Sequence, residues 1–322
     1  MKYYNVRRIR NRNASLGFWH GCGMYCYVSA FLVALVGFTS ESARAFAPQE
    51  HRHPFNNRIK STVAVRLISE TQAATPPGSR RSAADKIHAL LLNADTEAAE
   101  YVVIPQIWET ALAVSKANDA DEITSLLQIA IPKMDEPLRH WQAVVLGGSV
   151  INGLTQAGVW PRTRLEQLLA NDKALIARWQ RTLKLAAEMA RNARVRSGTR
   201  YDALRILGVD TFDRSQKSLI PYLTKDVDPE LQMGAVSALG DINEPQASNQ
   251  LLVHLEELTD SNRELAIDAL LRTDERARSL GDRINSGKLQ RIALNPQQQK
   301  ALAERTNKPV KNEPKPLPGS AE

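Results

Sequence analysis

The sequence predicts an all-α fold of stacked helical hairpins, on three observations. Ala203-Leu204-Arg205-Ile206-Leu207-Gly208 returns 32 residues later as Ala235-Val236-Ser237-Ala238-Leu239-Gly240, and a third copy begins at Ala266-Ile267-Asp268-Ala269-Leu270, with Leu271 in the glycine's place. The segment that follows repeats at the same interval, Ser218-Leu219-Ile220-Pro221-Tyr222-Leu223 as Gln250-Leu251-Leu252-Val253-His254-Leu255. The chain is 43% apolar yet only 6% aromatic, which suits Ala- and Leu-rich helices better than sheets. Two apolar helical segments recurring at this period make a unit that buries one face only by stacking on its neighbours. The expected product is an elongated right-angled stack with a concave surface.

Taken in order, residues 1–45 read as a secretory signal. Lys2, Arg7, Arg8, Arg10 and Arg12 precede an apolar run from Met24 to Phe38, which is short for a membrane span at about 1.5 Å per residue. Ala43-Arg44-Ala45 and Ala45-Phe46-Ala47 are small-x-small cleavage sites, so cleavage is expected after Ala45 or Ala47 and the product is expected to be periplasmic or secreted. Retention as an anchor is the alternative. Membrane contact is then expected only transiently, through the signal segment.

Charge follows the same division. Residues 1–45 hold six basic groups against Glu41, and the remaining chain holds 36 basic and 34 acidic residues. A nearly neutral exported protein is a poor nucleic-acid binder, so no nucleic-acid partner is expected. Both cysteines, Cys22 and Cys26, fall in the signal, which excludes a disulfide framework or a Cys-based metal site from the mature chain.

Residues 46–80 carry Pro48, Pro54, Pro76, Pro77 and Gly78 and read as a linker, with one alternating stretch from Ser61 to Ile68 fit for a short strand. The solenoid is expected from 81 to 306. Ile87, Leu90, Leu91 and Ala94 begin it; Pro105 opens a second segment with Ile107, Trp108, Ala111 and Leu112; Ile123 to Ile131 supplies a third. Trp141 to Leu154 follows, with Gly147-Gly148 permitting close helix approach, and Trp160-Pro161 starts the next. Asp172 to Arg194 reads as an amphipathic helix, apolar through Leu175, Trp179, Leu183 and Ala186.

Asp228-Pro229 has the form of an N-cap followed by proline at the first helical position, and Ser261-Asn262-Arg263-Glu264 that of a capping box. Gly208 and Gly240 are expected to end helices in the left-handed conformation. Asn295-Pro296 starts a last helix, and 307–322, with four prolines, is expected to be disordered.

Ile104-Pro105-x-x-Trp108, the run Gly153 to Trp160, Tyr201 to Leu207, Asp228-Pro229-Glu230-Leu231-Gln232 and Ile284-Asn285-Ser286-Gly287-Lys288 together resemble the HEAT-like helical region of large bacterial membrane-bound dehydrogenase proteins that carry a c-type haem domain. The resemblance covers about two-thirds of the chain and implies a HEAT-like α-solenoid with disordered termini. It also implies a redox-active protein partner; the basic stretch over 178–205 suits an acidic protein, an anionic polysaccharide or phosphates instead. The dehydrogenase domain expected ahead of the helices has no room here, and the haem motif Cys-x-x-Cys-His has no cysteine after Cys26 to form it.

No phosphate-binding glycine loop, Gly-x-Ser-x-Gly or His-Glu-x-x-His occurs, and His88, His140 and His254 read as packed or surface imidazoles. No cofactor, metal or catalytic residue is therefore expected. The candidate partner-binding residues are Arg178, Arg181, Lys184, Arg191, Arg194, Arg196 and Arg200, in a basic stretch that continues to Arg205 and contains only Glu188 and Asp202 as acids. An exported, non-enzymatic scaffold mediating protein–protein interaction is the first expectation. An accessory subunit of an exported dehydrogenase or cytochrome assembly is the second.

Overall fold

The computed structural model describes residues 81–289 and 294–306; the segments read as a signal (1–45), a linker with a short strand (46–80) and a disordered tail (307–322) lie outside them. Among the described residues all regular structure is helical, with no strand. No described helix is long and apolar enough to cross a membrane.

α1 (Ala83–Leu91) starts at a capping box in which Ser82 accepts from the Asp85 amide and Asp85 accepts from that of Ser82. α2 (Glu97–Lys116) is capped by Thr96, so it begins eight residues before Pro105, which sits inside it rather than opening it. A proline there removes one hydrogen bond, and the flanking apolar turns, with Ile104, Ile107 and Ala111 buried, keep the helix continuous. α3 (Ala120–Ala130) is capped by Asp119.

α4 runs through three pieces: an α-helical start at His140–Ala143, a π-helical stretch at Val144–Ile151, and an α-helical end at Asn152–Gln156. π-helical geometry shifts the backbone hydrogen bonds by one residue, to i→i+5. The Gly148 carbonyl accepts from two side chains, Trp108 Nε1 at 3.0 Å and Asn152 Nδ2 at 3.3 Å. α5 (Pro161–Leu169) begins at the proline after Trp160, and α6 (Lys173–Arg191) at Asp172, whose carboxylate accepts from the Leu175 amide at 2.9 Å.

α7 (Ser197–Leu207) and α8 (Phe212–Leu219) carry the first repeat, α9 (Pro229–Asp241) and α10 (Pro245–His254) the second, α11 (Asp260–Leu270) and α12 (Asp274–Asn285) the third. α13 (Pro296–Thr306) follows and packs on α12. α2, α4, α7, α9 and α11 pack on one another in that order, and α8, α10 and α12 form a second, looser succession.

Close approach in the tighter series depends on small residues. A Cβ on Gly208 would lie 2.8 Å from Ala238 Cα, and one on Gly240 would lie 2.9 Å from Ala269 Cβ. These glycines were expected to supply a left-handed backbone, but Gly208 has φ −66 and Gly240 lies within α9. Their physical role is spacing. The positive φ values fall at Gly158, Gly287 and Asn118.

One further start signal differs. α11 begins at Asp260 with Thr259 as its N-cap, placing Ser261 inside the helix. The Thr259 amide donates to Gln232 Oε1 of α9 at 2.9 Å, a partner from the preceding repeat in place of the local box.

Candidate functional site

The seven basic residues singled out in the sequence lie along α6 and the turn into α7, and the structure divides them by what they touch. Arg178 donates to the carbonyls of Ile131 and Pro132, just past the end of α3. Arg181 reaches the carbonyls of Lys133 and Glu136. Arg200 donates to the Ala190 carbonyl at 2.8 Å, and Arg191 to Ser218 Oγ at 3.3 Å. Arg196 stacks with its guanidinium carbon 3.6 Å from the centre of the Tyr101 ring. Lys184 and Arg194 are exposed.

What unites the seven is the partner they lack. Arg139, Arg162, Arg205, Arg214, Arg263, Arg272 and Arg305 all form ion pairs with carboxylates, whereas none of the seven candidates has a carboxylate within 4.0 Å among the described residues. Carbonyls, a hydroxyl and a ring fix five of the side chains without cancelling their charge. From Lys173 to Arg200 the chain holds eight basic residues and one acid, Glu188, a local excess equal to the formal net charge of the whole chain, +7. A field of this kind raises the local concentration of an anionic partner and speeds its encounter.

At one end of this face Tyr101, His140 and Thr199 bring together the first turns of α2, α4 and α7. The Tyr101 hydroxyl bonds His140 Nδ1 and, at 3.0 Å, Thr199 Oγ1. Burial pushes the Tyr101 phenol up, against the Thr199 hydrogen bond and Arg196. Glu97 stands 3.9 Å from His140 Nε2, and the buried Glu100 is paired with Arg139.

Arg205 departs from the surface stretch to which its position in the sequence assigns it. It is buried, with Nη1 at 2.9 Å from Asp241 Oδ2. Asp241 also accepts from Thr155 Oγ1 at 2.9 Å and from Arg272 Nη1 at 2.7 Å. Arg276 donates to the Gly240 carbonyl at 2.9 Å, and its buried guanidinium is pushed down to about 10 by desolvation and by Arg272, which still leaves it charged at neutral pH. Trp160 lies under both, 4.1 Å from Arg272 and 5.3 Å from Arg276. One carboxylate thus serves the ends of α4, α7, α9 and α11.

Asp202, one turn before Arg205, is buried against Gly148 with Oδ2 unpartnered. Burial first, and then the Glu230 carboxylate, push its carboxyl well above the usual range, against the pull of Arg205. The folded state therefore retains this proton to higher pH than the unfolded chain does. Stability from this group is complete below about pH 4 and is lost as pH rises toward the folded value. Glu230 and Asp268 are raised by burial and act in the same sense. Asp202→Asn is expected to flatten the fall in melting temperature from mildly acidic to mildly alkaline buffer, measured by circular dichroism; an unchanged slope would contradict the assignment.

Two grooves lie on the described surface, one in the second helix succession and one chiefly between α5 and α6. One of about 430 Å3 between α10 and α12 is lined by Glu244, Ser248, Asn249, Arg276, Asp282 and Arg283. Another of about 150 Å3 has Leu165, Leu169, Trp179 and Leu183 in its walls, with Arg162, Glu166 and Arg214 also lining it. Among the described residues no three His, Cys, Asp or Glu side chains are placed to hold a metal ion. Comparison with protein-family models, curated proteins and solved structures finds no match.

Proposed function

We propose that this chain is an exported, non-enzymatic scaffold, a HEAT-like α-solenoid that mediates protein–protein interaction from the periplasm or outside the cell. The observation that carries the reading is the set of seven basic side chains without a neutralising carboxylate among the described residues, five of them held in place by other groups. Seven other arginines of the chain are paired with carboxylates, so on this face a concentrated positive charge is left for a second molecule. The helix series supports the same reading, because units that repeat after 32 and then 31 residues and pack on their neighbours present long side-chain surfaces to a partner. The order of basic, apolar and small-residue segments through Ala47 supports export.

The test is affinity capture of the full chain, tagged at its C-terminus, from fractionated cells at low ionic strength. One stoichiometric protein is expected in the periplasmic or secreted fraction, released as salt screens the basic face. Recovery of a solitary chain with catalytic turnover of its own would overturn the proposal.

A further inference from the structure

We infer that the partner meets the exposed side of α6 with an acidic protein segment in which a single basic residue lies opposite Glu188; this rests on the scaffold reading above. At 3.6 residues per turn Lys173, Lys184, Glu188 and Arg191 share one side of α6, and all four are exposed, as is Arg194 just past its end. Glu188 has Lys184 four residues before it and Arg191 three residues after it, spacings at which helix ion pairs commonly form. It pairs with neither: no basic nitrogen lies within 4.0 Å of it among the described residues. The side therefore displays two lysines, a carboxylate and two arginines in fixed order, all exposed and none paired with an opposite charge among the described residues, Arg191 also donating to Ser218 Oγ.

That order selects among anions. A chain of phosphates or sulfates would place negative charge against Glu188 wherever it bound the flanking cations, and the repulsion would subtract from its affinity. A protein segment can put carboxylates against the lysines and arginines and a cation against Glu188. Arg178 and Arg181, anchored on carbonyls beside the same helix, add positive potential from positions already ordered. The interruption in the basic stripe is thus what tells an acidic protein from a uniform polyanion.

The test uses the full chain and two labelled glutamate-rich helical peptides of equal net charge, one with its lysine at the centre and one with it at an end. Long-chain polyphosphate is the third probe. The unaltered chain is expected to bind the central-lysine peptide about threefold more tightly than the end-lysine peptide, the scale of one exposed ion pair. Glu188→Lys is expected to reverse that preference and to raise affinity for polyphosphate. Combined Lys184→Glu, Arg191→Glu and Arg194→Glu is expected to weaken both peptides by about tenfold or more, with the circular dichroism spectrum unchanged because these side chains are exposed.

Absence of peptide binding by the unaltered chain, the same peptide preference in Glu188→Lys, tighter polyphosphate than peptide binding by the unaltered chain, or full affinity in the triple variant each overturns the inference. Partner capture that persists in the triple variant removes this face and leaves the scaffold reading standing. Capture that fails with the unaltered chain removes the scaffold reading itself.

Discussion

Asp241→Ala is expected to destabilise the folded chain by about 3–5 kcal/mol, the cost of stripping the partner from a buried ion pair. The variant would leave Arg205 buried with no carboxylate, and would take from Arg272 the oxygen 2.7 Å from its Nη1. It would also remove one acceptor of the Thr155 hydroxyl, which keeps the Ile151 carbonyl at 2.9 Å. Arg276 cannot relieve the excess by losing its proton, since its guanidinium titrates near 10. At about 2–4 °C per kcal/mol for a domain of this size, melting should fall by roughly 6–20 °C. Urea unfolding followed by circular dichroism measures it, and a loss under about 1 kcal/mol would show that the three arginines do not depend on this carboxylate. A second variant separates lost charge balance from lost packing. Arg205→Met in an Asp241→Leu background removes both members of the pair and should recover part of the stability, because the penalty lies in the unpaired charge.

This centre was hidden in the sequence for a physical reason. Asp241 follows Gly240 at the end of a repeat, where a short polar residue is commonplace, and its partners lie 36 residues before it and 31 after it. Arg205 was visible, but as one more base in a basic stretch. The available signal was its setting, with Leu204 on one side and Ile206 and Leu207 on the other. An arginine inside an apolar run of a stacked repeat is placed to be buried, and a buried arginine requires a carboxylate. The helices that contain the repeat were legible because their small residues recur where the chains touch. The π-helical stretch of α4 was not, since Val144 to Ile151 is apolar all round and favours no one period.

The candidate face was legible in composition and not in geometry. Counting residues locates the charge between Arg178 and Arg200, but counting cannot tell which arginines are engaged with carbonyls and which with carboxylates. That distinction decides whether the charge survives folding. Here the carbonyls past the end of α3 take Arg178 and Arg181, while Glu188 on the same helix stays outside every ion pair among the described residues. Anchoring without neutralisation makes a basic helix side into a surface with a fixed pattern, and the pattern is what a partner can recognise.

Among the described glycines, Gly147→Ala is expected to be the most damaging single substitution. A Cβ there would fall 1.9 Å from the Asp202 carbonyl oxygen, 2.8 Å from its carbon and 3.2 Å from Arg205 Cβ. Two of those three atoms are backbone, so no rotamer change relieves the clash and α4 must move away from α7. Overpacking of this kind costs about 1–3 kcal/mol and more where backbone must shift. The movement would also pull Thr155 from Asp241, since Thr155 lies later on the same helix, so the loss should reach the upper end of that range.

Gly148→Ala meets Asp202 Oδ1 at 2.4 Å, a side-chain atom able to rotate, and should cost less. Gly158→Ala is the control for conformation without crowding: φ is +77 and nothing lies within 4 Å, so only the left-handed penalty of about 1 kcal/mol remains. Urea midpoints should fall in the order Gly158→Ala, Gly148→Ala, Gly147→Ala, from least to most destabilised. If Gly147→Ala were as stable as Gly158→Ala, the close contact of α4 with α7 would not be what holds the first helices to the repeats that follow.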